Sequence, residues 1–452
     1  MTRTEPARGM RDYLPEDIRR REFVIGVIRR VYERYGFEPL ETPAVENLET
    51  LMGKYGEEGN QLIFKILKRG EHEASGQADL ALRYDLTVPL SRVVAHYQSK
   101  LPRLFKRYQI QPVWRADRPA RGRFREFYQC DVDALGSTSP VIEAELCAAV
   151  AAALTELGFE DFHLRLNHRQ LLTEILDAAG IPGELHGSAL VALDKLDKIK
   201  MEGVAKEMTE RGISAEAVEA LAEVFRGRIA LDVLTGNPMA GLQSVADFVS
   251  GADDDPPSIE NLRQIFTLTQ NTPAAGHVTF DPSLARGLSY YTGAIMEVNV
   301  PDLAGSLGGG GRYDNLVGMF LGQSVPACGF SLGLERILVV MAERGMFPPT
   351  LATTPADVMM AVFDAADAAH AVRVAGLLRQ SGLRVMVYPD ADKIGKQIKY
   401  ADSLGIPFVA ILGSNEIAAA QVTVKNLKTQ TQATYDQAAA GGAILEGLKQ
   451  RG

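Results

Sequence analysis

Cysteine is scarce in this chain: Cys130, Cys147 and Cys328 are the only three in 452 residues. No two stand at metal-site spacing, and an odd number argues against a disulfide framework. All three read as small buried apolar groups. Long apolar runs are also missing. The longest, near Leu146–Leu154, is too short to cross a bilayer. The first twenty residues, MTRTEPARGMRDYLPEDIRR, are charged with no apolar block behind them, unlike a secretory signal. These absences lead to the expectation of a cytoplasmic protein with no membrane partner. Positive charge is lacking too: the net charge is −9. Binding to nucleic acid by bulk electrostatics is therefore excluded, and any such partner must meet a local patch. Two common nucleotide loops, GxxxxGK[ST] and a strand-placed GxGxxG, are absent.

What is present divides the chain. A length of 452 residues suggests about three domains at roughly 150 residues each. Residues 16–35 carry Val24, Ile28, Val31 and Tyr35 on one helical face, with Gly36 placed to end the helix. FEPLETP (37–43) runs extended into Pro43, and LRYDLTVPL (82–90) follows a polar loop. Residues 104–115 and 123–135 alternate with period two around the turn-forming ADRPARG, as an antiparallel hairpin does. A helix is expected over 141–157. From 168 to 250 the pattern is helical and highly charged, and the Pro/Asp-rich GADDDPPS closes it. Strand patterns resume at 277–300 and 325–332. After the linker FPPTLATTP (347–355), strands and helices alternate as βαβαβ, which implies a mainly parallel sheet. The domain expectation is thus 1–167 and 259–345 as one interrupted core, 168–258 as a helical insertion, 346–355 as linker, and 356–452 as a separate α/β domain.

The hairpin carries the chemistry. On 123–135 one face bears Arg123, Arg125, Phe127, Gln129, Asp131 and Asp133, and the other is nearly apolar. On 107–115 the polar set is Arg107, Gln109, Gln111 and Arg115. The two strands together offer an open polar floor lined by Arg115, Arg123, Phe127, Gln129 and Asp133. It suits a ligand with an anionic end, a flat ring and a donor-rich end; ATP plus an amino acid is such a pair. A solvated sheet face laced with ion pairs gives the same pattern. In GFSLGLERIL (329–338), Arg336 falls in the first turn of a helix, against the dipole preference, which invites a phosphate; a snorkelling surface Arg is the plainer reading. LARGLSYYTG (284–293) sets Arg286 beside Tyr290 and Tyr291. The glycine-dense GSLGGGGRYD (305–314) lets backbone approach a ligand closely, or forms a mobile loop. Segment 101–125 holds eight Lys and Arg against the single acid Asp117. In 393–399, Lys393, Lys396 and Lys399 recur at helical spacing, and a solvated helix face would do the same.

Together these strings resemble class II aminoacyl-tRNA synthetases, over nearly the whole chain. The helix before Pro43, the hairpin with Arg115 and Phe127, and GLER with Arg336 resemble the three class motifs, and no HIGH-like or KMSKS-like string of the other class is present. LRYDLT (82–87) and LARGLSYYTG are similar to segments of the histidine enzymes. The resemblance implies an α+β fold: an antiparallel sheet flanked by helices, a helical insertion and a C-terminal α/β anticodon-binding domain. It implies ATP-dependent attachment of L-histidine to tRNA(His) through a histidyl-adenylate, with Mg²⁺, in a homodimer. By position, Asp85 and Thr87 would hold the histidine amino group, and Arg115 the α-phosphate and carboxylate. Arg123 and Arg336 would meet the outer phosphates, with Phe127 stacked on adenine. Gln129, Asp133, Tyr290 and Tyr291 would read the amino group and imidazole, and Arg286 would be the catalytic cation at the α-phosphate, beside Arg115. Arg118 and Arg121, with Lys393, Lys396 and Lys399, would meet tRNA. No side chain is assigned to a metal. Ser289 stands where the family usually has an acid, and Asp85 in LRYDLTVP resembles the eukaryote-like branch. The rivals are a regulatory subunit of ATP phosphoribosyltransferase built on the same domain, an RNA-binding module with a dead site, and a synthetase for another amino acid.

Overall fold

The computed structural model describes residues 4–70, 75–193, 195–235, 237–251, 254–285, 290–349, 351 and 354–449. The chain forms two compact units, Met1–Tyr13 with Arg21–Met346, and Leu14–Arg20 with Phe347–Gly452.

The strands in chain order are β1 Glu38–Pro39, β2 Val45–Asn47, β3 Lys65–Leu67, β4 Ala78–Leu82, β5 Phe105–Trp114, β6 Glu126–Leu135, β7 His163–His168 and β8 Val278–Phe280. They continue with β9 Ala294–Asn299, β10 Gly308–Arg312, β11 Ala327–Gly333, β12 Val358–Val362, β13 Val385–Val387, β14 Phe408–Leu412, β15 Gln421–Asn426 and β16 Gln432–Asp436. The first unit is built on an eight-stranded sheet, β1-β5-β6-β11-β10-β9-β7-β8, antiparallel except at its two edge pairs. The fold is α+β, as expected. A small sheet, β2-β4-β3, stands apart. β3 and β4 fall where the sequence shows only a polar loop, because three to five residues with exposed positions carry too little apolar alternation to register.

One face of the large sheet is apolar. On it Tyr108, Val132, Phe330 and Gly310 lie in register, as do Ile110, Cys130, Leu332 and Gly308. The helix Pro15–Arg34 turns Val24, Ile28, Val31 and Tyr32 inward, and the Tyr32 hydroxyl donates to the Cys130 carbonyl at 3.2 Å. All three cysteines are buried and unpaired thiols. Segment 168–258 folds into helices from Arg169–Ala178 to Pro238–Ser250, with no strand among its described residues beyond the last residue of β7.

In the second unit β13, β12 and β14 run parallel, joined by the helices Ala368–Gln380 and Ile394–Ser403. Alternate residues of β12 feed two cores, Val358, Met360 and Val362 on one face and Met359 and Ala361 on the other. Burial on both faces is why VMMAV reads as a continuous apolar run. The sheet is parallel over three strands only. A hairpin, β15 and β16, adds antiparallel to β14, and its solvent-facing QATYD carries no strong strand signal. Among the described residues no helix is long and apolar enough to cross a membrane.

Candidate active site

Register decides what shares the polar face of the large sheet. Arg107, Asp133, Gly329 and Gly311 form one row across β5, β6, β11 and β10; Gln109, Asp131, Ser331 and Gly309 form the next; Gln111, Gln129 and Gly333 the third. Long polar side chains on β5 and β6 therefore face the smallest residues available on β10 and β11. The trough over the glycine strand is thus bare of β10 side chains, and Asp133 and the Tyr291 ring close into it. A Cβ on Gly329 would lie 1.9 Å from Asp133 Oδ1, and one on Gly311 would lie 3.0 Å from the Tyr291 ring. Within the glycine-dense segment, Gly308–Arg312 is a strand and not a mobile loop. It stays glycine because neighbouring side chains and backbone occupy its Cβ space.

Asp85 lies at the mouth of the helix Thr87–Tyr97 and is buried. Its carboxylate accepts from the Tyr55 hydroxyl at 2.9 Å, the Val88 N–H at 3.1 Å and the Tyr290 hydroxyl at 3.4 Å. Burial pushes the carboxyl up, against those hydrogen bonds and the positive charge of Arg115. Thr87, half-buried, hydrogen-bonds Tyr290. Arg115 follows β5. Its Nε donates to the Tyr84 carbonyl at 3.0 Å, and its guanidinium lies 4.3 Å from the Tyr84 ring centre and 5.1 Å from that of Phe127. A half-buried cation held between two rings presents a fixed fork to an anion.

The centre of the floor is closed, where the sequence suggested an open one. Arg107 is fully buried, with Nη2 2.8 Å from Asp133 Oδ2 and 3.8 Å from Asp131 Oδ2. Tyr313 donates its hydroxyl to Asp133 Oδ1. Gln129 Nε2 donates to Ser331 Oγ at 2.8 Å. Gln129 Oε1 and Asp131 Oδ1 are buried and have no protein donor among the described residues. Burial raises the Asp131 carboxyl to about 7, opposed by Arg107 and reinforced by Asp133; burial also raises Asp133. Arg107 Nε is likewise buried without an acceptor among the described residues, and Ser331 hydrogen-bonds the Asp131 carboxyl, so the unpaired groups are mostly but not all acceptors, a set that suits a ligand rich in N–H groups.

The other expected residues are scattered. Tyr290 and Tyr291 meet edge to face at 5.1 Å, beside Tyr313. Arg336 sits in the first turn of the helix Leu334–Glu343 and donates to the Ser306 carbonyl, with Gly122 and Gly305 closing on its side chain. Arg123 departs from the expectation. Its side chain is 52% exposed and paired with Asp117 at 2.8 Å, off the floor, because β6 begins only at Glu126. Arg121 pairs with Glu343, and Arg118 is exposed. Lys393 is not on the helix with Lys396 and Lys399 but caps it in extended backbone, and Lys396 pairs with Asp392 at 2.7 Å. Arg286 and Ser289 lie outside the described residues. Among those described, no three His, Cys, Asp or Glu side chains are gathered to hold a metal.

Four residues near the site went unassigned in the sequence. Arg107 and Asp131 were seen on the polar face but given no role. Arg83, inside LRYDLT, is 1% exposed and donates to the Thr42, Pro43 and Pro112 carbonyls, tying the Asp85 segment to β5. Glu335, of GLER, is 1% exposed, pairs with Arg21 at 2.8 Å and accepts from the Tyr128 N–H at 2.9 Å. Only Asp131 carried a local signal, a charge on a strand between the apolar Cys130 and Val132, which marks burial with a partner.

A model of the family described as histidyl-tRNA synthetase matches residues 9–337, and one described as anticodon binding domain matches 357–446. A histidine–tRNA ligase of Christiangramia forsetii is 41% identical, covering 97% of this chain and 98% of its own. Another, from Flavobacterium johnsoniae, is 39% identical over 98% and 97%. The crystal structure of histidyl-tRNA synthetase from Nostoc sp. superposes with a TM-score of 0.79 at 30% identity, over 99% of this chain and all of that one.

Proposed function

The chain belongs to the histidyl-tRNA synthetase family, and from that premise we propose that it joins L-histidine to tRNA(His) through a histidyl-adenylate. The observation that carries the reading is the acceptor surplus beside Arg115: Gln129 Oε1 and Asp131 Oδ1 without donors among the described residues, and Asp85 at the other end of the same site. Histidine brings an ammonium and a ring N–H to such acceptors, and its carboxylate to the arginine.

In the first step the histidine carboxylate attacks the α-phosphorus of ATP and pyrophosphate leaves. In the second the terminal ribose hydroxyl of the tRNA attacks the activated carbonyl and AMP leaves. Charge spreads over phosphate oxygens, so positioning and fixed cations do most of the work. Arg115 meets the α-phosphate and carboxylate, Phe127 stacks on adenine, and Arg336 meets the outer phosphates. Arg123 reaches them by releasing Asp117. Asp85 and Thr87 take the ammonium; Gln129, Asp133, Tyr290 and Tyr291 take the imidazole. Arg286 acts as the second cation at the α-phosphate. Mg²⁺ binds in sites of one or two carboxylates completed by substrate phosphates, so it enters as the MgATP substrate and needs no cage from this chain. Arg118, Arg121 and the three lysines face tRNA. The protein works in the cytoplasm as a homodimer.

Relatives that match the whole length, the 357–446 region included, favour this reading over a regulatory subunit. The test is ATP–pyrophosphate exchange across all twenty amino acids. Exchange with histidine alone is expected; none with any amino acid, on folded protein with Mg²⁺, refutes it.

A further inference from the structure

We propose that Arg107, buried beneath the site and out of reach of any substrate, is a positioning residue that sets histidine affinity through its pairing with Asp131 and Asp133. The proposal rests on reading the polar trough as the histidine site.

Three observations carry it. Arg107 is fully buried, yet only one of its neighbours among the described residues is a close counter-ion: Asp133 at 2.8 Å, with Asp131 at 3.8 Å. One cation thus serves two buried carboxylates, and Asp85 adds a third negative group to the surroundings of Asp131. A buried group left so under-compensated is costly unless something completes it. The missing donors are those of the ligand, since Asp131 Oδ1 and Gln129 Oε1 are without a protein partner among the described residues.

Second, Arg107 is wired to both ends of the site. Its Nη1 donates to Gln109 Oε1 at 3.2 Å, and Gln109 Nε2 donates to Gln111 Oε1 at 2.6 Å. Gln111 Oε1 also accepts from Arg83 at 3.1 Å and from the Thr42 N–H at 3.1 Å. Arg107 Nη2 reaches the Leu86 carbonyl at 3.4 Å, between Asp85 and Thr87. The guanidinium therefore links the carboxylates of β6 to the segment that offers Asp85.

Third, the opposite side of Asp133 is fixed by Tyr313 and by the absence of a Cβ at Gly329. Between Tyr313 and Arg107 both oxygens of Asp133 are engaged. Its orientation toward the trough is a consequence of these two partners, and Arg107 alone supplies charge. Removing that charge leaves two adjacent buried carboxylates that cannot both ionise, so one takes a proton and ceases to be a pure acceptor.

The experiment measures kcat and KM for histidine and for ATP in pyrophosphate exchange, in wild type, Arg107→Gln and Arg107→Lys. The histidine KM of R107Q is expected to rise on the order of tenfold or more, with the ATP KM within about twofold. R107K, which keeps the charge, recovers most of the loss. Equal changes in both KM values, or an R107K as impaired as R107Q, overturn the proposal. Where R107Q does not fold, R107K carries the test: a histidine KM raised by more than about twofold with the ATP KM unmoved supports it, and an unaltered histidine KM or equal changes in both overturn it. Wild-type exchange with histidine is the common baseline. Its absence refutes the synthetase reading itself, while its presence with an unaltered R107Q refutes only the role of Arg107.

Discussion

Gly329→Ala should separate the site from the scaffold. A Cβ there would stand 1.9 Å from Asp133 Oδ1, 2.5 Å from its Cγ and 3.1 Å from the Val132 carbonyl. Ordinary contact begins near 3.4 Å, so the carboxylate must retreat by 3.4 − 1.9, about 1.5 Å. It cannot swing away without breaking its bond from Tyr313 or its pair with Arg107. Misplacement of about 1 Å at a reacting site costs on the order of 10²-fold. We expect histidine kcat/KM in pyrophosphate exchange to fall by about that factor, and the ATP KM to hold. Overpacking should cost roughly 1–3 kcal/mol of stability.

The control is Gly310→Ala on the neighbouring strand. Its Cβ would meet the Gly329 carbonyl at 2.1 Å and Phe330 Cα at 2.7 Å, both backbone, on the apolar face of the sheet. No side chain can yield there, so stability should fall further than in G329A, by roughly 3 kcal/mol or more in urea denaturation. Any loss of exchange should follow the folded fraction. A folded G329A with histidine KM within twofold of wild type, or with the ATP KM moved as far, refutes the argument.

Three further outcomes are expected. Glu335→Ala strands the buried guanidinium of Arg21 and should cost about 3–5 kcal/mol by urea denaturation; a loss under about 1 kcal/mol would mean the pair is not a structural tie. His168 caps the helix Arg169–Ala178 by accepting from the Gln170 N–H, and burial with the Arg312 charge lowers its pKa to about 4, from 6.5. The folded state therefore binds fewer protons than the unfolded between those values, and stability is lost as pH falls from about 6.5 to 4; His168→Asn, which keeps a capping side chain, should flatten that slope by up to about 1.4 kcal/mol per pH unit. Arg286→Ala should cut adenylate formation by on the order of 10² or more, and near-normal exchange would remove Arg286 from its role.

Legibility in the sequence followed side-chain contrast. β5 and β6 were readable because Tyr108, Ile110, Val132 and Cys130 alternate with polar residues, so period two shows. β10 was not, since GGGG has no side chains to alternate, and its strand character depends on what β9 and β11 leave room for. Asp85, Arg115 and Phe127 could be singled out because their segments are punctuated locally. The closure of the floor could not be foreseen. Asp131 and Asp133 read as solvent-facing, since buried acids need partners, and Tyr313 lies 180 residues away from Asp133.

Six of the eight cations of the basic patch at 101–125 have partners within the fold. In sequence it holds eight cations against one acid, the pattern of a footprint for nucleic acid. In the structure Lys106 pairs with Glu145, Arg107 with Asp133, Arg121 with Glu343 and Arg123 with Asp117, while Arg125 donates to the Asp117 carbonyl and Arg115 to that of Tyr84. Three of the four carboxylates come from outside the window, which is why local counting missed them. The arginines hold the hairpin and its long connection to the rest of the unit. A tRNA phosphate reaching Arg121 must displace the Glu343 carboxylate already there, so such a contact is an exchange of anions and adds less affinity than an unpaired arginine would. On the proposal that this surface meets tRNA, its contribution would be placement more than charge attraction.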